Sequence, residues 1–124
     1  MVAKTMGTEV SGLEEFESIV RVLRFFAATR NYSFLDRIGN ALNPETVEVA
    51  LRDALRTFSS IYDASPADEK GLKYYEYEEG RRIRLPAKPS EGEVAAFLRA
   101  VWQDVGVARR VAIMAMSVPA REER

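Results

Sequence analysis

The sequence predicts a mainly α protein: a helical bundle organised on a long C-terminal helix, with one small β-hairpin inserted before that helix. Three observations predict it. Apolar residues recur at i, i+3 and i+4 along 11–28, 43–63 and 90–117, the stripe of an amphipathic helix. Over 72–85 the apolar period shortens to two around Glu79-Gly80, the pattern of a short hairpin. The last helical stretch is the longest and the most apolar, so it is the element able to touch the rest.

In order along the chain, residues 1–10 read as a loose tail. Ser11 and Glu14 have capping-box spacing and open helix one. Leu13, Phe16, Val20, Leu23 and Ala27 form its stripe, flanked by Ile19 and Phe26, and Glu14, Glu17, Arg21 and Arg24 form its wet face. Glu17 and Arg21 are an i, i+4 pair in the favourable order. A short second helix carries Phe34, Leu35, Ile38, Ala41 and Leu42. Asn43-Pro44 starts the third, with Asn as N-cap and Pro at the first helical position. Val47, Ala50, Leu51, Ala54, Leu55, Phe58 and Ile61 then face inward, while Glu48, Arg52 and Arg56 form an outer ladder.

After a polar loop, 63–71, the hairpin strands are expected at 72–78 and 81–85. Pro86 and Pro89 end the second strand. Ser90 and Glu93 make another capping box. Beyond them Val94, Phe97, Leu98, Val101, Trp102 and Val105 form a core stripe, on which Trp102 is expected to be packing. Past Gly106 only Arg109 and Arg110 are polar before Ser117, and a helix apolar on nearly every side is expected to be buried on nearly every side. As one helix, 90–117 would be roughly 40 Å long at ~1.5 Å per residue; whether Gly106 kinks it is open. The organisation expected is one domain over 1–124, with a helical part at 11–63 and 90–118, the hairpin at 72–85 and a charged tail at 119–124.

The residue inventory narrows the chemistry. The chain has no Cys and no His, which removes disulfides, thiol chemistry, zinc sites of the Cys/His kind and the usual base of a Ser-His-Asp triad. Its glycines are scattered singly, so no phosphate loop is present. The stretch from Met1 to Gly7 lacks a long apolar run and no segment has about 18 apolar residues, so neither a signal peptide nor a membrane span is expected, and a cytoplasmic setting is. Glu76, Glu78 and Glu79 cluster at the hairpin turn, where charges are normally solvated. No metal, no cofactor and no catalytic residue is expected.

Net charge is −1, yet 14 of 18 basic residues are arginine, the side chain that grips phosphate or carboxylate with a planar fork. With the turn centred on Glu79-Gly80, Tyr77 lies opposite Arg82 and Tyr75 opposite Arg84, with Lys73 beside them. Leu72, Tyr74, Ile83 and Leu85 then face inward. An aromatic-basic face of this kind can stack bases and bind phosphate. It can equally stabilise an exposed hairpin or meet a partner protein. Arg21 with Arg24, and Arg52 with Arg56, are further candidates for backbone contact, or solvated helix faces. Val22 and Phe25, on the back of helix one, are the candidates for head-to-tail self-association.

Three passages carry a family resemblance. Asn31 to Val47 (NYSFLDRIGNALNPETV) resembles the start of the second and third helices in the small subunit of archaeal type I-A CRISPR interference complexes. Lys73 to Glu78 (KYYEYE) resembles that family's small β part, and Asp104 to Met116 (DVGVARRVAIMAM) its terminal helix. The resemblance covers roughly 11–118. It implies a helical bundle with an attached β element, and a non-enzymatic subunit whose partners are the other subunits, guide RNA and target DNA. It assigns no contact residues; those above come from spacing. The competing expectation is a purely structural adaptor that binds protein and never nucleic acid.

Overall fold

The computed structural model describes residues 15–117 and the strand residues 122–123. The expected capping box at Ser11 and Glu14, and Leu13, lie outside them. The chain is mainly helical, with a small antiparallel hairpin before the last helices. In order it forms α1 (Glu17–Ala28), α2 (Ser33–Gly39), α3 (Pro44–Ala64), β1 (Tyr74–Glu78), β2 (Arg81–Arg84), α4 (Glu91–Gln103), α5 (Gly106–Ser117) and β3 (Glu122–Glu123).

The starts and stops follow local chemistry. The Asn43 side chain accepts the Thr46 N–H at 2.9 Å and Pro44 occupies the first turn of α3. At the start of α4 the Ser90 hydroxyl accepts the Glu93 N–H at 3.1 Å, while the Glu93 carboxylate accepts the Ser90 N–H at 2.9 Å. At the end of α1, Arg30 takes φ +63°. Its N–H reaches the Ala27 carbonyl and the Asn31 N–H reaches Phe26, the paired bonds of a Schellman end. A non-glycine residue in that left-handed position is strained.

The long C-terminal helix is two helices. Asp104 is extended, at φ −155° and ψ 102°, and its carboxylate accepts the Gly106 N–H at 2.9 Å and an Arg110 N–H at 3.3 Å. An aspartate with local backbone donors offers an alternative to the helical ladder, so the chain stops at Gln103 and restarts at Gly106. The turn sends α4 against α3 and α5 against α1 and α2. Where α5 crosses α2, a Cβ on Gly39 would sit 3.2 Å from the Ala112 Cβ, so a glycine allows that close approach.

The core is built from the expected stripes, with corrections. Ile19, Val20, Leu23 and Phe26 are buried, as are Val47, Ala50, Leu51, Ala54 and Phe58, and Val94, Phe97, Leu98 and Val101. Val22 and Phe25, expected on the surface for self-association, are 0 % and 1 % exposed. α1 is enclosed on two sides, by the helices and by the hairpin: Phe25 meets Phe26, Phe58 and Tyr75 edge-on with centroids 5.4–5.5 Å apart. Trp102, expected in the core, is 53 % exposed, its Nε1 donating to Glu48 of α3 at 3.4 Å, and its helix ends one residue later. α5 is one-sided, with Ile113 and Met116 more than half exposed; among the described elements it packs mainly on α1 and α2, and on α4 more lightly. Leu42 is also exposed, standing in the turn before α3.

The hairpin departs from the expected register. Tyr74 pairs with Arg84, Tyr75 with Ile83, Glu76 with Arg82 and Glu78 with Arg81. Tyr77 is therefore an extra residue on β1, a bulge. Since strand side chains alternate with period two, a one-residue slip exchanges the two faces. Tyr75 turns inward with Ile83 and packs on Phe25, and Tyr74 turns outward. Gly80 makes the turn at φ +74°. β3 pairs antiparallel with the other edge of β2, Ile83 opposite Glu122 and Arg82 opposite Glu123.

Candidate nucleic-acid interface

The bulge assembles a different aromatic-basic face from the one that uniform alternation gives. Tyr74, Arg82 and Arg84 share the outer side of the hairpin. The Arg82 guanidinium lies over the Tyr74 ring at 4.4 Å from its centroid. Arg82 and Arg84 are exposed and neither forms an ion pair among the described residues. Two residues apart on one strand, they stand about 7 Å from one another along it. Glu76, opposite Arg82, lies in the same stretch and partly offsets the positive field. Asp68 also feels the charge of Arg82. Its carboxylate is held below its ordinary pKa first by the Leu72 N–H, then by the Lys70 N–H, with Lys70 and Arg82 adding smaller electrostatic contributions.

Several expected members are elsewhere. Lys73 donates to the Tyr62 carbonyl at 2.8 Å and lies over the Tyr62 ring at 4.3 Å, so it ties the strand to α3. Tyr75 is a packing residue. Tyr77, at the bulge, is half-buried against the core, with Arg81 5.9 Å from its ring centroid. Glu78 ties the hairpin end to α1: it meets Arg30 at 3.2 Å and Arg81 at 3.3 Å.

The helical arginines are mostly neutralised by their own helices. Arg21 pairs with Glu17 at 2.8 Å and Arg52 with Glu48 at 3.2 Å. Arg56 shares Asp53 with Arg37, and Asp53 is held below its ordinary pKa, chiefly by the Arg37 hydrogen bond. Arg24, expected on the wet face, is half-buried and its Nε has no hydrogen-bond partner among the described residues. Sequence reasoning missed Tyr74, and no residue in the strand announces the bulge that turns it outward. Among the described residues no cluster of three or more acidic side chains could hold a metal ion. No described helix is long and apolar enough to cross a membrane.

The arrangement supplies two exposed guanidiniums of β2, without ion pairs among the described residues, beside the half-buried Tyr74 ring of β1, which suits contacts to phosphate and to an aromatic base. No curated protein matches the sequence. A family model described as CRISPR-associated protein (Cas_Csa5) matches residues 22–118, which takes in the second half of α1, the later helices, the hairpin and the three passages that carried the resemblance. The chain belongs to that family, the Csa5 small subunits of type I-A CRISPR interference complexes.

Proposed function

We propose that this chain is a non-enzymatic subunit that supports guide-RNA or target-DNA backbone within an RNA-guided interference complex, and that the outer hairpin face makes the contact. One observation carries the assignment to that face. Arg82 and Arg84 are exposed, two residues apart on one strand and without an ion pair among the described residues, whereas Arg21, Arg52 and Arg56 are each held by an acid on their own helix. With a net charge of −1 the free chain has no overall attraction for nucleic acid, so its solo binding is weak and local. Contacts of this type read backbone rather than sequence.

The test is anisotropy of a labelled single-stranded oligonucleotide across a salt series. Arg82→Glu with Arg84→Glu weakens binding on every sequence alike and flattens the log–log salt slope by ~0.7 per lost phosphate contact. Tyr74→Ala costs about 1–3 kcal/mol where a base stacks and leaves the slope unchanged. Unchanged affinity and slope in the arginine double variant would remove the hairpin from nucleic-acid contact. The adaptor reading would then hold, a reading favoured by exposed Trp102, Ile113 and Met116.

A further inference from the structure

The exposed side of α5 joins an apolar stripe to a concavity. Ile113 and Met116 are 54 % and 52 % exposed, and Tyr32 beside them is 45 % exposed. Met116 and Tyr32, with Ala27, Ala28 and Arg30, line a cleft of about 270 Å³ between the end of α1, the start of α2 and the end of α5. Ile113 lies one turn back from Met116 on the same side of the helix, and Arg109 one turn further. Arg109 is exposed and has no ion pair among the described residues, whereas its neighbour Arg110 is held by Asp104 at 3.3 Å. The surface therefore spans two helical turns, with the cleft at one end and, at the other, an arginine that has no ion pair among the described residues.

We propose that this surface, Arg109–Ile113–Met116 with the Tyr32 cleft, docks an amphipathic helix of another protein subunit. That helix seats apolar side chains on Met116 and Ile113 and places a carboxylate against Arg109. Charge decides the occupant: a single unpaired guanidinium beside an apolar ridge calls for one acid among apolar groups. A nucleic-acid strand would leave Ile113, Met116 and Tyr32 against its phosphates, with Arg109 as the cation not already held by an acid, since Arg30 in the cleft pairs with Glu78 at 3.2 Å. Exposed apolar residues that adjoin a pocket are also the usual anchors of a helix-in-groove contact. The inference rests on membership of the interference complex and is independent of the hairpin's role.

The experiment uses the full chain co-expressed with the remaining protein subunits of its complex, captured through a tag on one of them. Ile113→Glu with Met116→Glu lowers the amount incorporated by about tenfold or more, the scale of losing a central interface anchor. Arg109→Glu lowers it too, whereas Arg109→Lys retains it. The free chain still melts cooperatively, with its melting temperature lowered only modestly, and keeps its oligonucleotide affinity, because about half of Ile113 and of Met116 already stands in solvent. Since the chain has no cysteine, Ile113→Cys gives a unique crosslinking point. A crosslink to an acidic, apolar helical segment of another subunit supports the proposal. A crosslink to a second copy of this chain or to nucleic acid overturns it, as does undiminished incorporation of the double variant. Loss of oligonucleotide binding on reversing Arg82 and Arg84, with incorporation intact, reports on the hairpin alone. A wild-type chain that the subunits do not take up removes the membership on which both rest.

Discussion

Phe25→Ala tests how the hairpin is fastened to the helices. Phe25 is 1 % exposed and is ringed edge-on by Phe26, Phe58 and Tyr75. Truncating a buried Phe costs about 3–5 kcal/mol. Three perpendicular ring contacts, each favourable beyond its buried area, place this one toward the upper end. A domain of this size is stable by roughly 5–15 kcal/mol, so the change removes a third or more of the total. With a urea slope of ~2 kcal/mol per molar, a loss of ~5 kcal/mol moves the midpoint down by about 2.5 M. Urea unfolding followed by far-UV dichroism reads it directly. A double-mutant cycle of Phe25→Leu with Tyr75→Leu isolates the contact between helix and hairpin, with a coupling of about 0.5–1.5 kcal/mol. A midpoint shift below about 0.5 M at unchanged slope would show that α1 is not enclosed there and would refute the reasoning. Phe25→Glu is a poor probe of self-association for the same reason: it buries a charge and unfolds the chain, which would mimic loss of assembly.

Two more predictions follow from corrections to the sequence reading. Trp102→Ala costs less than about 2 kcal/mol, well short of the loss at a fully buried aromatic, because half of the ring is in water; chemical denaturation of the variant checks it. The Asp104 carboxyl is held below its ordinary pKa first by the Gly106 N–H and then by Arg110. A depressed folded-state pKa stabilises the fold above the unfolded carboxylate range, and that contribution fades as pH falls through the lower folded value. Melting of wild type against Asp104→Asn should therefore differ at neutral pH and converge in strong acid. A difference that is constant with pH would mean the carboxylate's charge plays no part in the break between α4 and α5.

What was legible in the sequence was whatever depends on short spacing. The caps at Asn43 and Ser90, the Glu17–Arg21 pair, the buried stripes of α1 and α3 and the hairpin's position all follow from a few neighbouring residues. The errors arose where a distant element decides. Val22 and Phe25 occupy the back of a stripe, and the stripe alone cannot reveal that the hairpin covers that back. Trp102 sits on the core stripe by count, but the helix stops beside it. Asp104 has a partner two residues on, and nothing in the apolar pattern records that bond. The site suffered most from a single residue: with Tyr77 counted as an ordinary strand position, Tyr75 faces out, and with Tyr77 bulged, Tyr74 does.

The break at Asp104 also sets the order in which the molecule can be made. Because α5 folds back on α1 and α2, the first helices described are completed by one of the last. During synthesis, the sides of α1 and α2 that meet α5 lack that cover until about seventy to eighty residues have been added beyond them. Such distant closure slows folding and leaves greasy helix faces open in the nascent chain. An assembly partner that is already present when α5 emerges would shorten that interval. Yield of folded chain in a cell should then depend on when its partners are expressed as well as on its own sequence.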